Sequence, residues 1–160
     1  MAASSFGAFE RIVRLAHRFT QREPVDEGRL HPFDHRNIHP SLPARVKELF
    51  DDGHYAEATF AAWKFLDRIV QRHSKLTETG YKLMMAAFSE SGGPIQLTNQ
   101  SNESEVDEQK GYRFVFAGSV WAIRNPRGHE IALSDDIDTC LDHLAFVSML
   151  IRRLEQAGFV

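Results

Sequence analysis

Apolar positions recur mostly at helical spacing. Over residues 6–20, Phe6, Phe9, Ile12, Val13, Ala16 and Phe19 share one stripe, while Glu10, Arg11, Arg14, His17 and Arg18 take other faces, which predicts an amphipathic helix. Residues 21–40 lose this pattern. Pro24, Gly28, Pro32 and Pro40 interrupt any long element there, and a polar linker is expected. From Ser41 the stripes return. Ser41 as a cap and Pro43 in the first turn open a short helix with Val46, Leu49 and Phe50 on its apolar edge. Asp51-Asp52-Gly53 ends it and offers an N-cap to a helix over 54–74, whose stripe is Ala56, Phe60, Trp63, Leu66, Ile69 and Val70.

The second half is more broken. A short helix is expected over 81–88, closed by Ser91-Gly92-Gly93-Pro94. Ile95-Gln96-Leu97 reads as an extended piece or the edge of a hairpin. Residues 98–109 set Glu103, Glu105, Asp107 and Glu108 among Asn and Ser, the composition of a solvated loop. Residues 111–123 form a helix with Tyr112, Val115, Phe116, Ser119, Val120 and Ile123 along one side, and the small Ala117 and Gly118 leave room for a second helix. It is expected to stop at Pro126, which disfavours helical geometry at Asn125 and has no N–H to donate. A last helix over 137–157 is capped by Asp135 or Asp136 and ended by Gly158. The fold class is all-α: an up-and-down bundle of four to five helices over residues 41–160, preceded by the N-terminal helix and linker of residues 1–40.

Composition narrows the classes. Apolar residues at 42% and twelve Phe argue for a folded core. A net charge of −3 gives no global attraction to nucleic acid, so any RNA binding depends on a local basic cluster. The single Cys140 excludes an internal disulfide and suits a reducing compartment. No apolar run approaches the roughly 20 residues of a membrane span, and Glu10, Arg11 and Arg14 break any signal-peptide core. A cytoplasmic protein without membrane contact is expected.

Candidate chemistry gathers where the 111–123 helix ends. Arg124, Asn125, Arg127 and His129 lie within six residues. Arginine is a fork-shaped, permanently charged phosphate binder, and histidine titrates nearest neutral pH. Together they suggest a site that holds a phosphate and moves a proton. His129 would act as base or acid, Arg124 would grip the nonbridging oxygens, and Asn125 would bond the phosphate or fix the imidazole tautomer. Arg127 would add positive charge that positions substrate. The same groups also serve as helix caps, which is the structural alternative. Asp67, set among apolar neighbours in the 54–74 helix, is either a surface carboxylate paired with Lys64, Arg68 or Gln71, or an acid that orients the Arg–His pair. His31, His35 and His39 recur every four residues, a metal stripe if helical. Pro32 and Pro40 bracket them and no Cys joins them, so they read as solvated or locally hydrogen-bonded side chains. No metal and no cofactor is expected.

Arg124, a polar neighbour, three more residues and His129 resemble the arginine–histidine motif of the HEPN superfamily. The phrases Ile38-His39-Pro40, Asp51-Asp52-Gly53-His54-Tyr55-Ala56-Glu57-Ala58, Phe116-Ala117-Gly118 and Arg124-Asn125-Pro126-Arg127-Gly128-His129 more closely resemble a bacterial and phage-borne group within it, the Ymh-type proteins, over residues 38–160. The resemblance implies a small helical domain acting as a metal-independent ribonuclease of toxin–antitoxin or antiphage type. It implies RNA as substrate, an acid near Asp67, a homodimer with two motifs facing one cleft, and an antitoxin or defence-system partner protein. Some HEPN domains bind without turnover, so a noncatalytic module for RNA, a nucleotide or a partner protein is the alternative.

Overall fold

The computed structural model describes residues 30–130 and 133–160. The amphipathic helix expected over 6–20 lies outside them. The chain divides into two units, Met1–His35 and Arg36–Val160. In the first, the described part is a single turn, α1 (Pro32–His35), where the expected linker was irregular. His31 Nδ1 accepts the Phe33 N–H at 3.1 Å, which shapes the turn locally.

The second unit is built from α2 (Ala44–Asp51), α3 (Tyr55–Ser74), α4 (Gly80–Ala87), α5 (Glu103–Ser119), a π-helical turn (Val120–Arg124), α6 (Asn125–His129) and α7 (Ile137–Gln156). Helix α3 is the central element. It packs on α2, α4, α6, α7 and the π turn, because its apolar stripe is wide enough to face several partners. Trp63, Leu66 and Val70 are fully buried there, each contributing about 1.5–3 kcal/mol by removal of apolar surface from water. Helix α7 supplies Leu144, Leu150, Ile151 and Leu154 to the same core. Phe146 of α7 meets the Trp63 ring edge-on at 5.7 Å. The helical architecture expected from the periodicity is present, and no strand occurs among the described residues. No helix among them is long and apolar enough to cross a membrane.

The structure decides several local expectations. Ser41 does not cap α2. Pro43 takes the N-cap position, and the Ser41 hydroxyl and N–H turn back to His39 Nδ1, at 2.8 and 3.2 Å. Of the two states expected for His39, it takes the locally hydrogen-bonded one: it is buried, and its Nε2 also lies 3.0 Å from a Glu155 carboxylate oxygen. Ile38 is buried beside it. The supposed acidic loop is the first half of α5. Asn102 caps that helix by accepting the Glu105 N–H at 3.0 Å, and the Glu105 carboxylate accepts the Ser101 N–H at 2.9 Å. This is a capping box shifted by one residue, and acidic groups in a first turn also favour the helix dipole. Finally, of the two forms expected for Ile95-Gln96-Leu97, the hairpin is absent. The buried Gln109 pairs with part of its backbone: the amide donates to the Phe88 and Ile95 carbonyls at 2.9 and 3.1 Å, and its oxygen accepts the Leu97 N–H at 2.7 Å.

The helix over Pro126 does not stop either. Val120–Arg124 widens into a π turn in which the Asn125 N–H reaches the Val120 carbonyl, and helical backbone resumes with Pro126 at the start of α6. A proline is tolerated in the first turn of a helix. The wider turn resets the register so that Pro126 occupies such a position instead of breaking a continuous ladder. π turns of this kind are rare and concentrate at functional sites.

Candidate functional site

Asp67, Arg124 and Asn125 come together where the π turn crosses α3 and the start of α4. Asp67 is 5% exposed. Its Oδ2 accepts the Gly80 N–H at 3.2 Å and lies 3.8 Å from Arg124 Nη2. It is therefore the buried acid beside the arginine, not a surface carboxylate paired with Lys64, Arg68 or Gln71. Gly80 has φ +61, a left-handed conformation that glycine adopts without strain, and this turn aims its N–H at Asp67. A Cβ there would also approach Val120 Cγ1 at 3.7 Å and Arg124 Nη1 at 3.9 Å. Burial raises the Asp67 pKa above its ordinary value, opposed by the Arg124 charge and the Gly80 hydrogen bond. Its Oδ1 and the Arg124 Nε are buried without a hydrogen-bond partner.

The Arg124 side chain keeps 23% of its surface exposed. Nη1 donates to the Asn125 side-chain oxygen at 3.1 Å, and the guanidinium carbon sits 5.5 Å from the centre of the Phe60 ring. An acid, an amide and an aromatic face thus fix a guanidinium that still reaches solvent. His129 is elsewhere. It is exposed at the end of α6, and among the described residues it has no hydrogen-bond or ion-pair partner. Positions five apart on an α-helix point about 140° apart. A single subunit therefore offers a held arginine and an unheld histidine on different sides of α6.

Arg127 is held by the protein itself. Its guanidinium grips both Asp135 carboxylate oxygens, at 2.6 and 2.5 Å, and donates to the Ile123 carbonyl at 2.7 Å. Side-chain exposure is 8% for Arg127 and 5% for Asp135. The two form a buried fork-to-fork pair that ties the segment before α7 to α6. His143 stands 4.0 Å from the same carboxylate. Burial, and then the Arg127 charge, lower its pKa. Cys140, pushed up to about 11 by burial, is a protonated thiol at neutral pH and no nucleophile.

The family model described as Hypoth_Ymh, "Protein of unknown function", matches residues 36–154. The chain belongs to this family. Asp67, Arg124, Asn125, Arg127 and His129 all fall inside the matched Hypoth_Ymh region, and residues 1–35 fall outside it. No curated protein and no solved structure matches the chain.

Two site residues escape a reading of the motif alone. Phe60 reads as one more apolar stripe position, yet it is seven residues before Asp67 and so shares its face of α3. Gly80 reads as a loop residue, although its position just before an apolar helix marks a turn.

Proposed function

We propose that this Hypoth_Ymh protein is a HEPN-type, metal-independent endoribonuclease that works as a homodimer, of the kind used in toxin–antitoxin or phage-defence systems. The observation that carries the reading is Arg124. It is fixed from behind by Asp67, Asn125 and Phe60, and still open to solvent, one turn and a half from an exposed histidine. In the reaction, the ribose 2′-oxygen attacks the adjacent phosphorus and loses its proton to a base. Arg124 stabilises the extra negative charge on the nonbridging oxygens. The 5′-oxygen leaves with a proton from an acid, giving a 2′,3′-cyclic phosphate and a 5′-hydroxyl. His129 serves as base or acid. Because one chain offers one such histidine, away from its own arginine, the complete site draws on a second copy.

The dimer reading is supported by the outer face of α5 and the π turn. Gly111, Phe114, Val115, Gly118, Trp121 and Ala122 recur there at helical spacing and are all exposed, Trp121 at 61% and Phe114 at 54%. Such a contiguous apolar stripe marks an association surface.

Incubating the protein with RNA in excess chelator tests the reading. Fragments ending in 2′,3′-cyclic phosphate are expected, and their loss in Arg124→Ala and His129→Ala proteins that remain folded. A noncatalytic module that binds RNA, a nucleotide or a partner protein is the second reading. It is favoured by His129 having no orienting partner among the described residues, and it predicts binding without product.

A further inference from the structure

Gly128 sits inside α6, where glycine costs about 0.5–1 kcal/mol relative to alanine. Its backbone does not need glycine, since its φ is not positive. Space does. A Cβ on Gly128 would lie 2.9 Å from Phe60 Cε2 and 3.5 Å from Cζ, well inside contact distance. The same ring lies under the Arg124 guanidinium. One aromatic side chain of α3 therefore touches both ends of the motif: the arginine at its start and the residue just before His129.

Resting on the ribonuclease reading above, we infer that Phe60 is a positioning residue. Its ring orients the Arg124 guanidinium through its face and sets the seat of α6, and so of His129, through contact with Gly128. The glycine at position 128 is the complement of that ring. A ring face attracts a guanidinium and holds it parallel or nearly so. With Nε buried and unpaired, Arg124 has no hydrogen bond there to fix its plane, so the ring and the Asn125 and Asp67 contacts are what hold it. Removing the ring while keeping apolar volume frees the guanidinium to turn.

The test compares wild type with Phe60→Leu, Phe60→Tyr, Arg124→Ala and the double variant Phe60→Leu/Arg124→Ala. RNA cleavage in chelator and binding of 2′-O-methyl RNA, which cannot be cleaved, are both followed. Phe60→Leu is expected to lower kcat about tenfold, the size of a desolvated cation–ring contact, with KM little changed, and Phe60→Tyr to retain the wild-type rate. In the Arg124→Ala background, Phe60→Leu is expected to add a smaller loss than in wild type, because the part of its effect that passes through the arginine is gone and only the seating of His129 remains. Arg124 side-chain NMR resonances, shifted by the ring in wild type, return to ordinary positions in Phe60→Leu. Should Phe60→Leu fail to fold, Gly128→Ala replaces it: the added methyl displaces the ring and reproduces the loss. Equal losses from Phe60→Leu with and without Arg124, or Arg124 resonances indifferent to the ring, overturn the assignment. A wild-type protein that cleaves no RNA refutes the ribonuclease reading instead. The Arg124 resonances then still judge Phe60 by themselves.

Discussion

Arg124 and Arg127 lie three positions apart and are surrounded differently. Arg127 and Asp135 are buried against each other, so Arg127→Ala strands a carboxylate in the interior. A loss of about 3–5 kcal/mol is expected from such a change, read as a lower denaturant midpoint, with activity falling because less protein is folded. Arg124 is partly open, and Asp67 beside it is already shifted toward its neutral form by burial. Arg124→Ala is expected to cost less stability than Arg127→Ala, about 1–3 kcal/mol, while removing catalysis in the proposed reaction. The two titrating groups near these arginines have opposite signs. Asp67 has a raised pKa, so its contribution to stability is complete below 3.8 and is lost as pH rises through the folded value. Asp67→Asn flattens that fall in denaturation midpoints measured from acid to neutral pH. His143 has a lowered pKa, so the folded state is favoured above 6.5 and loses that contribution as pH falls from there toward the folded value. His143→Gln removes this second slope.

Helices α3 and α7 were legible because their stripes run long enough to average out single polar residues, and Asp136 caps α7 through the Thr139 N–H as its position suggests. The start of α5 was not. Counting charge over 98–109 hides the pairing of Asn102 with Glu105, where the local hydrogen-bonding logic of a cap outweighs composition. The course of the chain through Pro126 was missed for a different reason. A proline rule applies to an α-helical ladder, and a π turn upstream changes which position the proline occupies. The site inherits that error: read as a stop, the motif gathers its side chains at one point, whereas a resumed helix spreads Arg124, Arg127 and His129 around α6. Within α5, Asn102→Ala is expected to cost about 1 kcal/mol. Gln109→Ala, which strands the Phe88 and Ile95 carbonyls and the Leu97 N–H in the interior, is expected to cost more, at about 1–3 kcal/mol for each buried group left unpaired. Urea titrations of the two variants rank them.

For the assembled protein, the exposed stripe on α5 and the proposed composite site depend on one another. Phe114→Glu or Trp121→Glu introduces a charge into a surface made of apolar and small residues. Either is expected to yield a monomer by sedimentation, folded as before and without cleavage activity. A net charge of −3 would not oppose RNA binding in the proposed dimer, because arginines close to a phosphate outweigh distant charges screened over about 8–10 Å. In the proposed reaction, the Hypoth_Ymh fold would supply a held guanidinium from each copy and leave proton transfer to the exposed imidazoles. The most direct measurement is the single-turnover rate of RNA cleavage, in excess chelator, by wild type and by His129→Ala matched for folded fraction and oligomeric state. A rate lower by about 10²–10⁴ in His129→Ala, with cyclic phosphate ends in the wild-type products, is the predicted result. Equal rates for the two proteins, or no cleavage by wild type, would contradict it.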